Sequence, residues 1–93
     1  MVATEYSVEL TAYEYSLLTK NYLISRGCKK QLESATEDDE GIELLLTLGE
    51  LEELAGFVAA ESNHARSKRQ REELGELCDY LEAEVSRIRR KSS

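Results

Sequence analysis

Ninety-three residues, 41% of them hydrophobic, fit one small domain near the lower end of what folds alone, so a homodimer that hides further apolar surface is expected. No apolar run approaches the ~18 residues of a membrane span, and no basic region followed by an apolar stretch opens the chain, so the expected setting is cytoplasmic, without a membrane partner. The net charge of −7 is uneven: residues 1–61 hold 13 acids and 4 bases, residues 62–93 hold 6 acids and 8 bases. The halves can attract each other, while the whole repels a phosphate backbone and makes nucleic acid an unlikely partner.

Tyr6, Val8 and Leu10 alternate with Glu5, Ser7 and Glu9, the period-2 pattern of a half-buried strand over 5–10. Thr11-Ala12-Tyr13-Glu14 follows directly and has the form of a capping box, which predicts a helix over 12–26. Tyr13, Leu17, Ile24 and Cys28 share one arc of that helix, and Tyr15, Leu18 and Tyr22 the adjoining one. Two readings follow: a helix wedged between strands and another helix, or a ledge of Tyr15 and Tyr22 on either side of Leu18 that a protein partner could use, since a tyrosine ring buries area while its hydroxyl stays wet. Gly27 suits the position after a helix end, with Arg26 complementing the helix dipole, and a turn or two resumes over 28–32. Cys28 and Cys78 sit among apolar helical positions and read as free buried thiols.

Residues 33–41, ESATEDDEG, read as an acidic linker; they lack the alternating oxygen ligands and central glycine of a calcium loop. Ile42, Leu44 and Leu46 predict a second strand over 42–46, and Thr47-Leu48-Gly49-Glu50 a second capping box. An offset of 36 places Tyr6 on Ile42, Val8 on Leu44, Leu10 on Leu46, Thr11 on Thr47, Glu14 on Glu50 and Leu18 on Leu54. A strand-helix unit used twice predicts two parallel strands joined by a right-handed crossover, a sheet too small to stand without helices or a second subunit.

In the helix over 48–62, Leu48, Leu51, Leu54, Ala55, Val58, Ala59 and Ser62 fall within an arc of about 140°. Gly56 and Ala60 lie toward the other side, so the helix is expected to be covered on two sides. Over 66–90, Leu74, Leu77, Cys78, Leu81, Val85 and Ile88 form a narrower stripe. The last two helices are expected as a hairpin bent near Ser62-Asn63-His64, the alternative being one long rod in a swapped dimer. The fold class is therefore α+β, mostly helical, with two short strands and three main helices.

No motif calls for catalysis, a cofactor or a metal. Arg66, Lys68, Arg69 and Arg71 spread around a helix instead of tracking phosphates, and Lys68 with Glu72 and Arg69 with Glu73 are ordinary i,i+4 pairs. Glu61 and His64 have the Glu-x-x-His spacing of di-metal bundles, but such a site needs two pairs and two further glutamates. His64 is otherwise expected to end its helix or pack beside Phe57, one heptad earlier.

Residues 44–74, LLLTLGELEELAGFVAAESNHARSKRQREEL, resemble a segment of small uncharacterised plasmid-related proteins, which have a similar strand, a TLxxLxxLAG-like helix start and a VAAExNH element before a basic stretch. The resemblance implies a prokaryotic or mobile-element accessory protein and directs attention to Glu61, Asn63 and His64. The reading that results is a non-enzymatic protein-interaction or regulatory module with a surface drawn from Tyr15, Leu18, Tyr22, Phe57, Glu61, Asn63, His64, Arg66 and Arg69. The alternatives are a nucleic-acid-associated, antitoxin-like regulator and an acidic decoy.

Overall fold

The computed structural model describes residues 4–92. In chain order it comprises β1 (Glu5–Leu10), α1 (Ala12–Lys20), α2 (Tyr22–Gly27), α3 (Lys29–Glu33), β2 (Thr36–Asp38), β3 (Gly41–Thr47), α4 (Leu48–His64) and α5 (Lys68–Ser92). The class is the mostly helical α+β expected from the pattern, but the sheet has three strands in the order β1-β3-β2, and both pairings are antiparallel.

The expectation of two parallel strands fails because the acidic stretch is not a linker. Thr36, Glu37 and Asp38 pair with Glu43, Ile42 and Gly41, forming a hairpin. The Asp38 carboxylate closes its turn by accepting from the Glu40 and Gly41 N–H groups at 2.8 and 3.0 Å, and Gly41 takes φ +148°, which a side chain would resist. The crossover through the first three helices therefore ends on β2, which runs parallel to β1. Strand β3 returns between them, antiparallel to both.

Both capping boxes form as read. The Thr11 hydroxyl accepts from the Glu14 N–H and the Glu14 carboxylate accepts from the Thr11 N–H; Thr47 and Glu50 repeat the arrangement. Val8 lies opposite Leu44, its own counterpart at the offset of 36, as an approximate two-fold axis through that pair would place them. Each strand thus delivers its helix to the same face of the sheet. On that face Val8, Leu44, Leu18 and Leu54 are fully buried.

Helix 12–26 is instead broken in two at Asn21, which has extended backbone angles and whose side-chain Oδ1 accepts from the Ile24 N–H at 3.0 Å, capping α2. The expected resumption of helix after Gly27 is α3, which lodges Gln31 in the interior, where its amide donates to the Glu53 carboxylate at 3.1 Å. Helices α4 and α5 form the hairpin, not the rod. Leu51, Leu54, Ala55 and Val58 of one helix and Leu74, Leu77, Cys78, Leu81 and Ile88 of the other are buried in the core. The bend falls at Ala65 to Ser67, just past the expected site, where the Ser62 hydroxyl donates to the Arg71 carbonyl, the Arg71 guanidinium to the Ala65 carbonyl, and Ser67 caps α5 through the Gln70 N–H.

Among the described residues no helix is long and apolar enough to cross a membrane.

Candidate interaction surface

The break at Asn21 redirects the chain so that α2 lies along α4. Two contacts fix its direction: the Asn21 amide donates to the Glu61 carboxylate at 3.1 Å, and Gly27 lies so close to Phe57 that a Cβ there would stand 2.4 Å from the ring. Residue 21 meets 61 and residue 27 meets 57, so the two helices are antiparallel. Between these contacts α2 presents Tyr22 and Leu23, which are 67% and 53% exposed. The Tyr22 hydroxyl accepts from the Arg26 guanidinium at 2.6 Å, and that guanidinium sits 5.8 Å from the Tyr22 ring centre, so the side chain is held upright on the surface.

Beside this ridge runs the outer face of α4. Gly56 and Ala60 are exposed, and Gly56 has nothing within 4 Å of where a Cβ would be. The second cover expected on this side of the helix is therefore not supplied by the described chain. Glu53, Gly56, Phe57 and Ala60 line a shallow, almost wholly apolar depression there, and a second hollow, lined in part by Gly56, Val85 and Arg89, adjoins it on the α5 side.

Of the residues singled out from the sequence, Tyr22, Phe57 and Glu61 come together on this α2–α4 seam. The ledge of Tyr15, Leu18 and Tyr22 does not form. Leu18 is fully buried, and Tyr15 is half-buried with its hydroxyl donating to the Leu32 carbonyl at 3.0 Å, so both belong to the interior while Tyr22 stands on a different helix. Asn63 and His64 are exposed at the end of α4, and Arg66 is exposed in the turn beyond it. Arg69 lies elsewhere, donating to Glu73 at 2.8 Å, and Glu73 also accepts from the Tyr13 hydroxyl of α1. These bonds lower the Glu73 carboxyl, the Tyr13 hydroxyl contributing most, then Arg69.

Sequence reasoning missed Asn21 and Leu23, and it placed Gly27 just past a helix end, whereas Gly27 is the last residue of α2 and its φ is not positive. Asn21 carries a usable signal, since Asn before an apolar helical turn is a favoured cap. The close approach of Gly27 to Phe57 has no local signature.

Two further clusters complete the chemistry. The strands and the hairpin turn carry Glu5, Glu9, Glu37, Asp38, Asp39, Glu40 and Glu43 and no lysine or arginine, which makes the sheet and its turn acidic. Cys28 and Cys78 are free and buried as expected, and burial pushes both thiols up to about 11, so neither is a nucleophile at neutral pH. Among the described residues no three His, Cys, Asp or Glu side chains are grouped to hold a metal ion; Glu61 is bonded to Asn21 and His64 points from an exposed helix end.

The chain matches no family model, no curated protein and no solved structure.

Proposed function

We propose that this protein acts by binding another protein chain, without catalysis, through the α2–α4 face. The observation that carries the reading is the joint exposure of Tyr22 and Leu23 beside the apolar depression at Gly56, Phe57 and Ala60. Large apolar groups cost free energy when left in water, about 25 cal/mol per Å² of apolar area, and a set of them rimmed by Arg26, Glu53 and Glu61 has the make-up of an interface centre with a polar edge. A photo-reactive residue placed at Leu23 tests it. It is expected to give a defined protein adduct in cells that make the protein, where the same probe at exposed Glu37 does not; equal labelling at both positions would remove the proposal.

The acidic sheet favours a second reading, an acidic decoy that occupies a basic, nucleic-acid-binding partner. It requires competition with DNA for such a partner that disappears when Glu37, Asp38 and Glu40 are replaced by their amides. Direct nucleic-acid binding has less support, because three of the four bases at 66–71 already have partners: Lys68 with Glu72, Arg69 with Glu73 and Arg71 with the Ala65 carbonyl.

A further inference from the structure

With the strands in the order β1-β3-β2, β1 forms an edge of the sheet over Glu5–Leu10. Two bonds tell which of its main-chain groups face outward. The Tyr80 hydroxyl of α5 donates to the Glu9 carbonyl at 2.6 Å, so Glu9 turns its main chain away from β3. Leu45, which stands opposite Ser7, donates its N–H to the Ser34 hydroxyl at 3.2 Å, so that pair does not bond across the β1–β3 seam either. Main-chain direction alternates along a strand, so Glu5, Ser7 and Glu9 are the outward set, while Tyr6, Val8 and Leu10 bond to β3. Tyr80 occupies the Glu9 carbonyl. Among the described residues no strand pairs with the rest of this edge, and an open edge is a template for another strand.

The side chains of the outward set are exposed on the solvent side of the sheet, so two carboxylates, Glu5 and Glu9, flank Ser7 along the edge. Directly across the seam Glu9 faces Glu43, a like-charged pair that costs stability in a sheet. Among the described residues none of these three carboxylates is in an ion pair. Beyond the end of the edge, burial and then the charges of Glu84, Glu14 and Glu9 push the Tyr80 hydroxyl above its ordinary value, so the surroundings stay acidic there.

We infer that the β1 edge receives an extended, basic segment of another protein, which adds as a fourth strand and sets lysine or arginine against Glu5 and Glu9. The main-chain groups of Glu5 and Ser7 supply the pairing, and the carboxylates supply the register and the choice of partner. Charge decides against a second copy in this place. Two β1 strands paired antiparallel about Ser7 would set Glu5 of one on Glu9 of the other, twice, and a parallel in-register pair would set each glutamate on itself. A basic strand instead relieves the repulsion between Glu9 and Glu43. This surface is separate from the α2–α4 face, and the inference does not depend on that reading.

A peptide of about nine residues alternating lysine and threonine, titrated into the full chain at low salt, tests the inference by residue-resolved amide hydrogen exchange. In the free protein the Ser7 amide is expected to exchange fast and the Tyr6 and Val8 amides slowly. The peptide is expected to slow exchange at Ser7 at least about 10-fold. The same peptide N-methylated on the edge that faces β1 keeps its charge and loses its donors, and should bind at least about 10-fold more weakly. Glu5→Gln combined with Glu9→Gln should weaken binding by a similar factor, without lowering the melting temperature, and added salt should shrink that difference. Binding indifferent to N-methylation is charge attraction alone and overturns strand addition. Equal binding of a peptide alternating glutamate and threonine overturns the basic partner. Ser7 protection that grows with protein concentration in the absence of peptide gives the edge to a second copy, and it overturns the inference, as does a peptide that does not bind. The Leu23 cross-link reports on the other face, so either proposal can fail while the other stands.

Discussion

The two strand-helix units begin alike and end differently. Each strand buries alternate residues, each is followed by a Thr-x-x-Glu box, and each helix sends a leucine, Leu18 or Leu54, to a fully buried position. Thirty-six residues separate the counterparts, so Asn21 of the first unit corresponds to Phe57 of the second. Asn21 stops α1 after 9 residues and caps α2, whereas Phe57 sits within a helix of 17. The difference teaches that capping chemistry fixes where a helix starts, while one residue nearly three turns later decides whether it continues or is folded back over its neighbour. The two divergent positions then serve one seam: Asn21 bonds Glu61, and Phe57 fills the space over Gly27.

The largest expected effects test the likeness. Leu18→Ala and Leu54→Ala each remove a fully buried leucine, and each is expected to cost about 3 kcal/mol in chemical denaturation. A loss below about 1 kcal/mol at either site would mean that the units are not equivalent in the core.

The next two test the difference. Gly27→Ala forces the Phe57 ring to move, since the added carbon would stand 2.4 Å from it, and should cost about 2 kcal/mol. Combined with Phe57→Ala, which empties the space, it should cost almost nothing further; additive losses in that double-mutant cycle would place the strain elsewhere. Asn21→Ala removes the cap of α2 and the bond to Glu61 together, and about 1.5 kcal/mol of stability is expected to go with them. If it were neutral, the break at Asn21 would owe nothing to the cap.

How much of this the sequence discloses follows from the range of the interactions. The Thr11 and Thr47 boxes, the strands at β1 and β3 and the α4–α5 stripes are legible because they depend on residues within one or two turns of each other. Strand β2 is not, because its three residues, Thr36, Glu37 and Asp38, are all exposed and carry no hydrophobic alternation; only the Asp38 turn and pairing to β3 make it a strand. The Asn21 break is masked because Leu17 and Ile24, one heptad apart, continue the apolar arc across it. At the candidate surface Tyr22, Phe57 and Glu61 stand out as residue types, but what unites them is the packing of α2 on α4, which rests on Gly27 and Asn21. The bare outer face of α4 is visible in the sequence as Gly56 and Ala60; that the chain leaves it open is visible only in three dimensions.

The smallest effects return to the boxes. Thr11→Ala and Thr47→Ala should each cost about 1 kcal/mol. The second box carries a charge dependence that can be measured on its own. The Glu50 carboxylate accepts from the Thr47 N–H at 2.9 Å, and this bond, with Lys30 at 3.4 Å adding to it, lowers its carboxyl below the ordinary 4.5 despite partial burial. A lowered folded value means that the ionised form favours the native state, so the stabilisation is complete above about pH 4.5 and is lost as the pH falls through the lower folded value. Wild type should therefore exceed Glu50→Gln by less than about 1 kcal/mol at neutral pH, and the gap should close on acidification, since glutamine keeps the shape of the bond and not its charge. A gap that stays constant down to the acid limit of folding would show that the box holds by geometry alone, and that its charge adds nothing to the start of α4.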